Sequence, residues 1–341
     1  MNTAGHPKRK LEQIRICLER DVQFRHLTTG LERYRLVHSA LPEINEADVD
    51  TATSLLGHRL RAPLLISPMT GGVEAAAAIN RRLAAAAQRL GLAMGVGSQR
   101  AALHHPELAA TYQVRDVAPD ILLMANLGAV QLNYGFGLSE ARAAVEMIGA
   151  DALVLHLNPL HEALQPDGNT NFSGLTERIG EICAGLAVPV IVKEVGYGIS
   201  REVAARLRSV GVAGIDVAGA GGTAWVEVER HRSNISRSRL ASAFADWGIP
   251  TTESIEMVRS VDDRWPLIAS GGIRTGVDAA KCLALGADAV GLALPLLRAA
   301  TMSEYAVIET LSAMLEQLRI AMFAVGARTI SDLRCGKLER Q

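Results

Sequence analysis

Residues 267–294 read LIASGGIRTGVDAAKCLALGADAVGLAL. Two apolar runs, Leu267–Ser270 and Ala289–Ala293, flank an Ala-rich stretch, Gly276–Leu285, whose apolar positions recur at helical spacing. Neither run alternates apolar with polar residues, so a strand formed from either is buried on both faces, as in a parallel sheet. Parallel neighbours need a crossover between them, and Gly276–Leu285 can be its helix. The Gly271–Gly272 turn and the GADAVGLA segment let loop and helix-start amides approach an anion closely, which makes them a candidate phosphate cradle.

The same texture runs back through most of the chain. Leu64–Ser67, Leu92–Val96, Ile121–Asn126, Ala152–Leu157, Val188–Val195 and Gly214–Ala218 are further apolar runs. Helical spacing is evident in Ala75–Leu90, Leu138–Ile148, Leu175–Ala187, Ser200–Val210 and Thr252–Val261. Eight strand–helix units in series predict an α/β fold, a (β/α)8 TIM barrel occupying residues 51–341. An open doubly wound sheet is less favoured, because no early GxGxxG turn dominates. Residues 1–50 stand outside the repeat and are expected to form an N-terminal extension, helical over Arg9–Glu19. Glu229–Trp247 is expected to be a mobile loop or an inserted helix near the barrel mouth, and Glu304–Val325 an amphipathic last helix.

With 341 residues, 49% of them hydrophobic, the chain can bury a large core without staples. A net charge of -1 gives no reason to expect a nucleic acid or an anionic membrane as partner. Cys17, Cys183, Cys282 and Cys335 are scattered, without CxxC spacing, and read as reduced thiols of a cytoplasmic protein. The first residues contain no apolar signal core, and no apolar stretch is long enough for a bilayer.

Barrel enzymes carry their chemistry at the C-terminal ends of the strands. There the chain places Met69 and Thr70, Ser98 and Arg100, Asn126, His156 and Asn158, Lys193, Thr223, Gly271 and Gly272 with Arg274, and Ala293. A lysine inside VIVKEVG needs a reason to be there. Lys193 and Glu194 should point to opposite faces and not meet, which leaves Lys193 for an electron-rich cofactor edge. Asn158 can cap a short helix begun by Pro159. His161 and Glu162 then fall one turn on, as a candidate acid/base and a candidate magnesium ligand.

The stretches RKLEQI, RYRLVHSALPEIN, MTGG, LAMGVGSQR, ANLGA, HLNPLHEALQPDGNTNF, VIVKEVGYGISRE, DVAGAGGT, WGIPT, ASGGIRTG and ALGADAVGLALP follow one another in this order. Together they resemble the type 2 isopentenyl diphosphate isomerase family nearly end to end. The resemblance implies FMN, reduced by NADPH, with Mg2+, and interconversion of isopentenyl and dimethylallyl diphosphate by protonation and deprotonation. It also implies a homo-tetramer or homo-octamer. FMN would contact Met69, Thr70, Ser98, Asn126, Lys193 and Thr223, with Gly271, Gly272, Arg274, Ala293 and Leu294 around its phosphate. The substrate diphosphate would meet Arg9, Lys10, Ser98, Arg100, His156 and Asn158, so that the extension shares in the site. Glu162 would take Mg2+, and His161 and Gln13 would lie at the reacting end. The family pattern has Gln where this chain has His161 and His where it has Gln13, and Pro68 stands where a small residue usually precedes MTGG.

A proton-initiated cyclase or isomerase of a longer prenyl diphosphate is the alternative on the same scaffold. A 2-hydroxy-acid oxidase would need a His–Arg pair near strand seven, and IASGGIRTG has no His. An inosine monophosphate dehydrogenase-like enzyme would need a Cys after strand six, and GAGGTAWVEVE has none.

Overall fold

The computed structural model describes the chain from His6 to Gln341. Eight parallel strands close a barrel: β1 (Leu64–Ile66), β2 (Ala93–Gly95), β3 (Leu123–Gly128), β4 (Ala152–His156), β5 (Val190–Lys193), β6 (Gly214–Asp216), β7 (Leu267–Ser270) and β8 (Ala289–Leu292). β8 pairs with β1 through Val290↔Leu64 and its neighbours, so no edge is left open. Every residue of β1, β2, β3, β5, β6, β7 and β8 is buried, as runs without alternation require.

Two apolar layers hold the barrel. The larger lies between strands and outer helices. The smaller fills the inside of the barrel, where Leu65, Met124, Val154, Ile191 and Ile268 meet. Leu55 and Leu60, from an antiparallel hairpin (Thr53–Leu55 with His58–Leu60), join this inner cluster. Both leucines are almost fully buried. Truncating either to Ala costs about 2–5 kcal/mol.

A repeated bracket ties the strand starts together at the opposite end from the mouth. Arg115 donates to the carbonyls of Gly149 and Ile121 and to Asp151, whose carboxylate takes the amide of Leu123. Arg259 donates in the same way to Gly286, Trp265 and Asp288, whose carboxylate takes the amide of Leu267. Asp151 and Asp288 each stand third in the same tetrapeptide, Gly-Ala-Asp-Ala.

The N-terminal segment is helical from His6 to Glu19 (α1), three residues earlier than its apolar spacing predicts. Tyr34–Leu36 pairs antiparallel with Leu338–Arg340 at the chain's other end. The expected loop or helix over Glu229–Trp247 is two helices, α2 (Trp225–Arg232) and α3 (Ile235–Ser242), the first beginning ahead of the predicted span. The expected strand Val188–Val195 shortens to β5. Pro189 has no amide to give the ladder. At the other end the Glu194 carboxylate takes the amides of Val195, Gly196 and Tyr197 and curls the chain. Among the described residues no helix is long and apolar enough to cross a membrane. All four cysteines are free thiols.

Candidate active site

The C-terminal ends of the strands, α1 and α2 enclose one cavity, and every candidate residue of the sequence reading lines it. Its two sides differ in chemistry.

On one side stand three cations. Arg9 and Lys10 come from α1, and Arg100 opens the helix Arg100–His104 after β2. Burial and then the neighbouring Arg9 and Arg100 push the Lys10 ammonium down to about 8. Burial and then Arg100 lower Arg9, and burial lowers Arg100. Among the described residues Glu162 is the only acid lining the cavity. Three clustered cations facing one carboxylate are unfavourable alone and are relieved by a polyanion. Arg9 meanwhile donates to Gln165 Oε1 at 2.8 Å. His156 lies beside them, its Nδ1 2.9 Å from Asn126 Oδ1. Burial, then Lys10 and the other nearby positive groups, hold this imidazole down at about 3, so it is neutral in the empty site.

Asn158 precedes a one-turn helix, Pro159–Leu164, but its side chain does not cap it. Its Nδ2 instead donates to Glu162 Oε1 at 2.8 Å, and the Asn169 amide donates to Glu162 Oε2 at 2.6 Å. This corrects the expected cap. The helix already accommodates Pro159 without an amide, so the Asn158 side chain is free to hold the carboxylate. Among the described residues no cluster of three or more His, Cys, Asp or Glu could hold a metal alone.

Deeper along the same side His161 is stacked on Trp225, ring centroids 4.7 Å apart. Its Nε2 lies 3.0 Å from Glu229 Oε1 and 2.8 Å from Gln165 Nε2. Gln13 Nε2 donates to the same Glu229 Oε1 at 3.3 Å, and Arg232 donates to Oε2 at 2.6 Å. Glu229 is 1% exposed. Burial alone would raise its carboxyl, but His161, Arg232 and Gln13 outweigh burial and keep it below the usual carboxylate range.

The other side of the cavity is built by β5 to β8 and β1. Lys193 Nζ donates to the Glu194 carbonyl at 3.0 Å and pairs with Asp216 at 3.3 Å. The Lys193 and Glu194 side chains do not meet, as their alternation predicts. Burial pushes the Glu194 carboxyl up to about 7 against the pull of its three amides. Gly271 and Gly272 have φ of 101° and 76°, and a Cβ on Gly272 would lie 2.2 Å from Thr29 Cγ2. Only glycine fits that turn. Ala293 and Leu294 open a nine-residue helix towards the cavity, and Arg274 reaches Gln23 Oε1 at 2.8 Å. Two buried hydroxyls on the wall, Ser67 Oγ and Thr70 Oγ1, have no hydrogen-bond partner. Orphaned groups of this kind call for a polar ligand. An isoalloxazine edge supplies acceptors and a donor there, and the glycine turn and helix start suit its phosphate, so the residues present fit FMN.

Sequence reading missed Trp225, Gln165, Ser67 and Glu229. Trp225 and Glu229 stand four apart in WVEVE, one helical turn, but nothing local distinguishes that helix from an ordinary outer one.

A profile of FMN-dependent dehydrogenases matches residues 4–117 and 156–340. An isopentenyl-diphosphate delta-isomerase of a Synechococcus species is 57% identical over 96% of this chain and 94% of its own length. One of a Nostoc species is 52% identical over 99% and 97%. Among solved structures, (S)-mandelate dehydrogenase superposes with a TM-score of 0.71 over 99% of this chain and 98% of its own, at 19% identity. A flavocytochrome b2 gives 0.70 over 97% and 83%, at 18% identity. These two likenesses establish the barrel fold alone. The chain belongs to the FMN-dependent dehydrogenase family and, within it, to the group of isopentenyl-diphosphate delta-isomerases.

Proposed function

We propose that the protein interconverts isopentenyl and dimethylallyl diphosphate on reduced FMN. The observation that carries this reading is one cavity with two dissimilar sides. A cluster of cations faces a wall of orphaned hydroxyls, a fixed lysine and a glycine cradle. A dianionic head and a flat cofactor can then be held together.

Arg9, Lys10 and Arg100 grip the diphosphate, with His156 and Asn158 beside them, and the five-carbon tail is thereby fixed. Glu162 offers one carboxylate to Mg2+, the remaining ligands being phosphate oxygens and water, as this small hard cation prefers. Met69, Thr70, Ser98, Asn126, Lys193 and Thr223 hold the flavin ring, and Gly271, Gly272, Arg274, Ala293 and Leu294 its phosphate. When bound and reduced, FMN supplies an electron-rich ring and a site that can exchange a proton. The reaction adds a proton to the terminal alkene carbon and removes one from the carbon next to the CH2–O group. Composition and oxidation state are unchanged, so NADPH serves only to reduce the flavin beforehand. His161, set beside Glu229 and Gln165, is the group placed to exchange a proton with the substrate, and Trp225 covers the imidazole face and excludes water that would trap a tertiary cation.

The N-terminal extension, residues 1–50, contributes Arg9, Lys10 and Gln13 to the barrel of residues 51–341. The enzyme works in the cytoplasm as a homo-tetramer or homo-octamer.

The test is an anaerobic assay with isopentenyl diphosphate, FMN, NADPH and Mg2+. Dimethylallyl diphosphate is the expected product. Its absence, with turnover of a C10, C15 or C20 diphosphate instead, would assign the scaffold to a longer prenyl chain.

A further inference from the structure

Three neighbouring strands deliver an ammonium, a carboxylate and a hydroxyl to one point. Lys193 ends β5, and its register partner on β6 is Asp216. Ser270 ends β7. Lys193 Nζ lies 3.3 Å from Asp216 Oδ2 and 3.4 Å from Ser270 Oγ. Ser270 Oγ donates to Asp216 Oδ1 at 2.5 Å, which leaves its lone pairs for the lysine. With the Glu194 carbonyl, all three ammonium protons have a partner. The contact to Ser270 is the longest and the easiest to exchange for another acceptor.

Asp216 is 2% exposed. Lys193 and Ser270 line the cavity, but Asp216 does not. It therefore touches no ligand and can act there only through its neighbours. Its Oδ1 also takes the amide of Ala218, a non-glycine residue held at φ 36° on the cavity wall. An L-residue stays in that region only when its surroundings impose it. One carboxylate thus fixes both the lysine and the strained turn beside it.

We propose that Asp216, assisted by Ser270, is a positioning residue that keeps the Lys193 ammonium aimed at the flavin. This rests on the placing of FMN against Lys193 given above. A lysine buried among strands with no counter-ion loses its proton or turns away. Asp216 holds the ammonium in place without entering the ligand space. The Asp216→Asn amide is nearly the same shape but presents a donor or a neutral acceptor to the ammonium, so the cation is no longer held.

The sign of one measurement decides the matter. Reduced flavin carries more negative charge than oxidised flavin, and a nearby cation raises its midpoint potential. If Lys193 keeps its charge and direction without Asp216, deleting a carboxylate makes the site more positive and the potential rises. If Asp216 holds the cation in place, the potential of D216N falls towards that of K193M. We expect the fall, with a smaller fall in S270A and a lower kcat in both variants at an unchanged KM for the diphosphate. A potential in D216N that is unchanged or higher than wild type overturns the proposal. Should D216N fail to fold, S270A decides alone, downward in support and unchanged or upward against. Wild-type protein that takes up no FMN would overturn the flavin reading itself. Wild type that binds FMN beside a variant with unlowered potential would overturn only the role of Asp216.

Discussion

Gln13 and His161 hang on the same oxygen, Oε1 of Glu229. At these two positions the family pattern has the residue types reversed, and the shared oxygen explains how that is possible. One imidazole and one amide still meet one carboxylate. H161Q and Q13H alone leave two amides or two imidazoles there, and each is expected to cut kcat by about 10²-fold, the lower end of what an acid/base group contributes. The exchange Q13H/H161Q restores the set and should recover part of the loss. Kinetics of the four proteins as a double-mutant cycle give the coupling, and strictly additive losses would contradict it. Lys10 makes a second residue-level case. Before a diphosphate binds it loses its proton near pH 8, below the ordinary range. A bound diphosphate favours the charged form and raises that value. Below 8 both states are protonated and affinity is flat. Above 8 binding must take up a proton, so affinity falls by up to about tenfold per pH unit. Calorimetry with pyrophosphate should show a steeper fall above pH 8 in wild type than in K10M, the ligand's own titration being common to both. The sequence marked these residues because charged and polar side chains stand out at the ends of apolar runs. Glu229 and Gln165 escaped because their importance lies in partners 68 and 4 residues away.

Helix α1 carries part of the cation cluster, and the barrel carries the orphaned hydroxyls, the lysine and the glycine turn. Arg9, Lys10 and Gln13 all come from α1, whereas Ser67, Thr70, Lys193 and the glycine turn come from the barrel. A protein lacking residues 1–19 is therefore expected to keep its flavin spectrum and lose pyrophosphate binding. Loss of both would mean that α1 also carries the FMN site. The barrel elements were legible because unbroken apolar runs and helical spacing alternate with few interruptions. Those that were not legible depend on distant pairing. Leu338–Arg340 is a polar tripeptide, and it becomes a strand only because Tyr34–Leu36 lies beside it. The segment from Trp225 to Trp247 has charges all round, so no apolar stripe announces its two helices.

At the scale of the whole molecule the two ends of the barrel do different work. The Arg115–Asp151 and Arg259–Asp288 brackets join successive strands, β3 to β4 and β7 to β8, at their N-terminal ends. R115K and R259K each remove hydrogen bonds to carbonyls and loosen a partly buried pair, with an expected cost of about 2–4 kcal/mol. Denaturant titration should find the two costs alike and additive within about 0.5 kcal/mol, because the brackets share no partner. FMN affinity and kcat should be those of wild type. The partner of each arginine is set by a GADA segment, and in a closed ring of eight strands the two brackets stand diametrically opposed. The two brackets differ in one respect: Asp288 also takes a guanidinium from Arg334, and among the described residues Asp151 takes no second one. The strand starts are thus tied by arginine brackets that carry no ligand group, and a substitution confined to them should tax folding and spare chemistry.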